Sequence, residues 1–217
     1  MQRPVELDSD QQRFTYADVL DWDEDYRAEI IDGALFVCSP PAAYHQGISV
    51  ELVYQLKDFL KGTQDRGTSN VPGLTAKVFA GPFGVRLFPR SDLSDDTVLE
   101  PDITVICDPA KLDKRGYNGA PDMIIEILSP SNIQHDMVYK FNKYLKAGVR
   151  EYWTVDPDSR TVQVHILEQF GRDAAHYRTS LYGVFDPANP ASVDGPETVP
   201  VSVLPGCVID LKAVFAE

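Results

Sequence analysis

Two short runs, Asp102-Ile-Thr-Val-Ile-Cys107 and Asp122-Met-Ile-Ile-Glu126-Ile-Leu128, are apolar at nearly every position. A strand with one wet face alternates between apolar and polar residues. A strand apolar on both faces needs a layer packed on each side, so these runs are expected to be central, neighbouring strands of a covered sheet. They also carry acids. Glu126 sits among aliphatic side chains, where an ionised carboxylate is costly unless it is paired, protonated or bound to a cation.

Around these runs strand and helix signals alternate without repeats, which points to an α/β class. Thr15 is placed to cap a short helix, and Asp32-Gly33 between two apolar runs predicts a hairpin over Arg27 to Cys38. A helix is expected from about Ala43 to Leu60, with Ile48, Leu52, Gln55, Leu56 and Phe59 on one stripe and Gly62 as its stop. Strands are expected from Leu74 to Ala80 and Gly84 to Phe88. A second helix is expected from Ser131 or Asn132 to Ala147, with Val138, Phe141 and Leu145 facing the core and Gly148 as its stop. Glu151 to Asp156 and Thr161 to Leu167 read as another hairpin, turning at Asp156-Pro157-Asp158-Ser159. Residues 1–185 are expected to form one domain. The proline-rich segment 186–217 is too short to fold alone and is expected to pack on the same core, with Val208 to Phe215 returning as a strand or helical turn.

The 217 residues, 43% of them apolar, suffice for a sizeable core. No run approaches the roughly 20 apolar residues needed to span a bilayer, and the N-terminus lacks a signal-peptide core, so a cytoplasmic location is the expectation. Cys38, Cys107 and Cys207 are unclustered, which argues against a disulfide framework or structural zinc, and Cys107 reads as a small core residue. The net charge of -13 weighs against extensive phosphate contact. Asp18 to Asp25 and Asp92 to Glu100 hold much of that acidity, and each cluster reads most simply as a solvated face or as capping residues. Affinity for nucleic acid should be weak, strongly salt-dependent, or confined to one basic groove.

Alternate strand residues share a face, so Glu126 should point with Ile124 and Leu128. Asp122 lies roughly 13 Å from Glu126 along the strand, too far to share one ion, whereas Asp102 on a neighbour about 4.8 Å away is well placed. Two carboxylates with waters or phosphate oxygens suit Mg²⁺. Asp136, Lys140 and Tyr144 recur every four residues and fall on one helix stripe. Such a stripe is either a surface Asp-Lys pair or a means of aiming a lysine at a metal-held water or at charge on a phosphorane. Tyr144 reads as packing with its hydroxyl at the surface. Lys111, Lys114 and Arg115 lie between the acid-bearing strands. That loop is either ordinary solvated chain or, if it hangs over the acids, the missing basic groove.

Glu29-Ile-Ile-Asp-Gly33, His45, Pro101-Asp102, Glu126-Ile-Leu-Ser-Pro-Ser, Asp136-x3-Lys140-x3-Tyr144-x3-Gly148 and Glu151-Tyr-Trp-Thr-Val-Asp together resemble the Uma-two family of restriction-endonuclease-like proteins. The likeness runs from about Thr15 to Leu167 and extends to the PD-(D/E)XK nuclease superfamily. It implies a restriction-endonuclease-like α/β (α+β) fold, a mixed central sheet flanked by helices. It implies Asp102 and Glu126 as ligands of Mg²⁺ or Mn²⁺, and Glu29 as an additional acid able to hold a second metal or its water. The superfamily's lysine falls two residues after the second acid, where this chain has Leu128; in the resembling family it moves to the following helix, matching Lys140. His45 becomes a phosphate contact, although a histidine at a helix start is otherwise a cap or a partly buried side chain.

These readings converge on metal-dependent endonucleolytic hydrolysis of DNA, leaving 5′-phosphates by the resemblance. Glu29, Asp102, Glu126 and Lys140 form the catalytic set, with His45, Lys111, Lys114 and Arg115 on the nucleic acid. A homodimer fits two cuts on two strands. The alternatives are a nuclease fold kept as a non-catalytic scaffold for partners or self-association, and metal-dependent hydrolysis of another phosphorylated or carboxylated small substrate.

Overall fold

The structure is a computed structural model and describes residues 13–20, 22, 27–65, 76–129, 135–170 and 174–216. The first half contains α1 (Tyr16–Val19), β1 (Ala28–Ile31), β2 (Ala34–Val37), α2 (Ala43–Asp65), β3 (Lys77–Ala80), β4 (Gly84–Arg86), β5 (Val98–Leu99) and β6 (Ile103–Ile106). A 3-10 turn (Pro109–Lys111), β7 (Gly116–Asn118) and β8 (Met123–Ile127) follow, then a π-helical turn (His135–Lys140) that runs into α3 (Phe141–Ala147). The chain closes with β9 (Glu151–Asp156), β10 (Thr161–Phe170), β11 (Ala174–Gly183), β12 (Thr198–Pro200), β13 (Val208–Asp210) and α4 (Leu211–Val214).

The two apolar runs become β6 and β8, adjacent and antiparallel in a six-stranded sheet ordered β11-β10-β9-β8-β6-β3. Every residue of both strands is buried. The β8–β9 pair is parallel, as a strand pair joined through a helix on one face must be, so the sheet is mixed. Met123, Ile125 and Ile127 pack with Ile48, Leu52 and Leu56 of α2 on one face. Ile124 faces the other way, among Tyr144 of α3, Tyr152 and residues of a second sheet. That sheet, ordered β2-β1-β5-β4-β7, covers much of this face. The sequence does not announce it, because β5 and β7 are too short to show a period.

The Asp32-Gly33 hairpin forms with both residues at positive φ, 50° and 79°, as a tight two-residue turn requires. Asp156 accepts from the backbone of Asp158 and Ser159 at the second predicted turn. β10 then pairs on its other side with β11, whose mixed sequence shows no clear alternation. The expected stop at Gly62 is wrong, since α2 continues to Asp65. A single glycine costs a helix about 1 kcal/mol, which the burial of Leu52, Leu56 and Leu60 outweighs. Gln55 of α2 clamps the last strand, bonding both the backbone N–H and the carbonyl of Asp210. Val199, Ile209, Leu211 and Phe215 join the α2 core. Cys107 is half-buried against it, while Cys207 lies inside.

The acidic segment before the site is not merely a solvated face. Asp95 is 1% exposed, takes the Arg86 guanidinium on Oδ2, and accepts from Arg90 N. Asp18 accepts from the backbone and hydroxyl of Thr15. Asp21 and residues 23–25, the expected helix start at residues 131–132, and the side chain of Asp136 lie outside the described residues.

Candidate active site

Glu126 occupies the α3 face of β8, as strand alternation requires. Its Oε1 receives the Lys140 ammonium at 3.0 Å and the Tyr144 hydroxyl at 2.5 Å. The expectation of a surface hydroxyl for Tyr144 is therefore overturned, for this ring is fully buried. Burial first, and then the Glu126 carboxylate, hold its pKa well above the ordinary value, so the hydroxyl stays a donor. Phe141 packs on the core against Tyr152 and Tyr177 as expected, but Lys140 and Tyr144 are the buried residues of this helical segment, and Val138 is 49% exposed. A π turn holds more residues than an α turn and shifts the face, which a 3.6-residue reading does not anticipate.

Lys140 also lies 3.0 Å from Oε1 of Glu29 on β1, so one ammonium joins the two sheets. Glu29 is buried, and the backbone N–H of Glu100 donates to the same oxygen at 2.8 Å. Continuing the β6–β8 register by one residue places Asp102 opposite Glu126. Its Oδ2 accepts from Ile127 N at 2.8 Å, and His45 Nε2, in the first turn of α2, lies 3.2 Å from the same oxygen. Glu29, His45, Asp102, Glu126 and Lys140 thus line one cleft of about 680 Å³.

Two further cleft residues are ones that the sequence reading misses. Arg27 Nε and Glu100 Oε2 pair at 2.9 Å, and burial raises the pKa of the Glu100 carboxyl, outweighing the lowering effect of the Arg27 charge. Glu100 immediately precedes Pro101-Asp102, which is the one signal that could have found it. Asp122 is instead structural, taking Cys107 N and Arg150.

The three basic loop residues do not join this group. Lys111, Lys114 and Arg115 are absent from the cleft lining. Their loop leads into β7 at the edge of the second sheet, where Asp113 accepts from the backbone of Arg115 and Gly116, and Arg115 donates to Leu20 O. Pairing of β7 with β4 anchors the loop on the second sheet, and none of its three cations lines the cleft as the expected basic groove would require.

In this mixed α/β fold the central strands carry facing acids, and a buried lysine links one of them to a third acid on the second sheet. Residues 16–211 match the Uma2 family, described as "Putative restriction endonuclease", and the chain belongs to that family. The match extends well beyond Leu167, so β11 and most of the C-terminal segment are part of the family's domain. The fold is also that of the crystal structure of a "putative nuclease belonging to DUF820" from Anabaena variabilis. The two are 24% identical, with a TM-score of 0.65 over 94% of this chain and 98% of that one. No curated protein matches the chain. Among the described residues, no helix is long and apolar enough to cross a membrane.

Proposed function

We propose that this chain is a metal-dependent nuclease that hydrolyses phosphodiester bonds, DNA being the first substrate class to test. The observation that carries the reading is the placement of Lys140 Nζ at 3.0 Å from both Glu126 and Glu29, in the cleft where Asp102 stands in register with Glu126. Three carboxylates against one ammonium leave an excess of two negative charges, and oxygen-only donors suit a hard divalent cation. No cluster of three His, Cys, Asp or Glu side chains is already drawn together for a metal among the described residues. The cleft acids are held by protein donors instead. Asp102 and Glu126 would hold Mg²⁺ or Mn²⁺, with Glu29 assisting.

When bound, the cation would supply a Lewis acid for the phosphoryl oxygens and lower the pKa of an attacking water. Asp102 is oriented by Ile127 N, and Glu126 by Tyr144. Lys140 is held where it can orient the water or stabilise charge on the phosphorane. His45, beside Asp102 at the cleft wall, would meet the phosphate.

The test is cleavage of plasmid, linear, single-stranded and RNA substrates in Mg²⁺ or Mn²⁺, with Asp102→Asn, Glu126→Gln and Lys140→Met alongside wild type. Metal-dependent activity lost in all three variants supports the reading; equal activity in all four proteins identifies a contaminant. The scaffold reading is favoured by one observation, that Lys140, Tyr144 and the backbone already satisfy oxygens of the cleft acids. Calorimetry separates the two, since a scaffold has no use for a divalent cation.

A further inference from the structure

We propose that the cleft receives a nucleotide that is already unpaired and unstacked, so that single-stranded or locally melted nucleic acid is preferred over intact duplex. The inference rests on the nuclease reading. The cleft encloses about 680 Å³, within the range of sites that surround a small ligand. Its lining is mixed: Glu29, Asp102 and Glu126 share it with Phe36, Val37, Pro40, Pro41 and Tyr139, and Phe36 stands directly across the hairpin from Glu29. Tyr139 is 49% and Val37 73% exposed, and the Phe36 and Tyr139 rings lie 6.4 Å apart at 36°. Scattered exposed apolar residues need no explanation, but aromatic and proline side chains lining the same cleft as buried acids do.

Charge decides what these apolar lining residues are for. Duplex-binding proteins draw affinity from several phosphate contacts, often about 6–10. In this cleft Arg27 lies against Glu100, Lys140 against Glu29 and Glu126, and His45 against Asp102. The cationic loop at Lys111 to Arg115 lies elsewhere, and the chain carries a net charge of -13. Binding must therefore draw on a base more than on a run of phosphates. The half-exposed Tyr139 ring in the cleft lining offers a stacking surface that any base can use, and only a base freed from its own stack can reach it.

The experiment is fluorescence anisotropy of the full chain with Ca²⁺ replacing Mg²⁺, using a labelled single strand and the blunt duplex of the same sequence, in DNA and RNA forms, with oligonucleotide intactness checked on gels. Single strands should bind more tightly than duplex. Tyr139→Ala should weaken single-strand binding by about 5- to 150-fold, the range for losing one base stack. Tyr139→Phe should retain it, and Tyr54→Ala, an exposed tyrosine on α2 outside the cleft, should change nothing. The single-strand salt slope should stay near the value of about -0.7 for one phosphate. Folding of each variant is confirmed by fluorescence of the buried Trp153.

Equal or tighter duplex binding, an unaffected Tyr139→Ala, or no binding of either form overturns the inference. Cleavage is scored separately. Asp102-dependent cutting of duplex with Tyr139→Ala fully active leaves the nuclease reading standing and this inference refuted. Tyr139-dependent binding of single strands with no cutting of any substrate leaves the binding preference standing and refutes the nuclease reading.

Discussion

Replacing Lys140 with methionine keeps the bulk of the side chain and removes an ammonium that touches two carboxylates. The three side chains are 5%, 6% and 3% exposed for Lys140, Glu29 and Glu126, and both N···O distances are 3.0 Å. At an effective dielectric near 20, unit charges about 3 Å apart attract by roughly 5 kcal/mol. Desolvation offsets most of that in the intact cluster, but the variant keeps the desolvated acids and loses their counter-charge. Breaking a buried pair in this way costs about 3–5 kcal/mol. For a chain of this length the corresponding fall in Tm is about 6–20 °C.

Urea unfolding followed by Trp153 fluorescence in EDTA measures the loss, because Trp153 is fully buried. Adding Glu126→Gln to Lys140→Met should recover part of it, since one stranded charge is then removed. Mg²⁺ should stabilise Lys140→Met more than wild type, reaching about 2.7 kcal/mol at a hundredfold excess over Kd. A loss below about 1 kcal/mol in EDTA, with no coupling to Glu126→Gln, refutes the charge argument. A full loss that Mg²⁺ does not relieve refutes the cation.

Tyr144→Phe deletes the 2.5 Å bond to Glu126 and should cost about 1.5–3 kcal/mol in urea titrations. His165 lies buried between Phe141 and Tyr152, and burial pushes its imidazole down from 6.5 to about 4. Unfolding lets it take up a proton, so its contribution, on the order of 3 kcal/mol, is complete above pH 6.5 and lost as pH falls through 4; His165→Phe should flatten that slope. The Thr104 hydroxyl is buried without a hydrogen-bond partner among the described residues, so Thr104→Val should stabilise the chain by about 1 kcal/mol, and a loss of stability would show that the hydroxyl is bonded. Lys114→Ala with Arg115→Ala should leave the salt slope of nucleic-acid binding unchanged, because neither side chain lines the cleft; a shallower slope would return the loop to the interface.

What can be read in the sequence is what local chemistry dictates. Asp32-Gly33 must turn, and Met123 to Ile127 must be covered on both sides. Because strand alternation fixes faces, the orientation of Glu126 follows before any contact is known. The losses have physical causes of their own. β5 and β7 are two and three residues long and exist only through their partners. Arg27 and Glu100 look like any surface pair until β1 and β5 bring them together. Lys140 and Tyr144 stand out by spacing, yet polar residues at that spacing resemble a wet helix face, so nothing local reveals their burial.

The position of Lys140 follows from reach. The nuclease pattern that the sequence resembles places a lysine two residues beyond the second acid, on the same strand and face. Here β8 ends at Ile127, and Leu128 is buried with its N–H donating to Val155 O, so that position serves sheet packing. A lysine entering from the helical segment covers the same carboxylate from above and, being off the strand, can also touch Glu29 on the second sheet. One side chain then satisfies an acid in each layer. The site can exist only when both sheets and α3 are docked. Any gain from separating the layers is opposed by two buried carboxylates losing their shared cation, which makes Lys140 a fastener of the fold as well as the residue proposed for the chemistry.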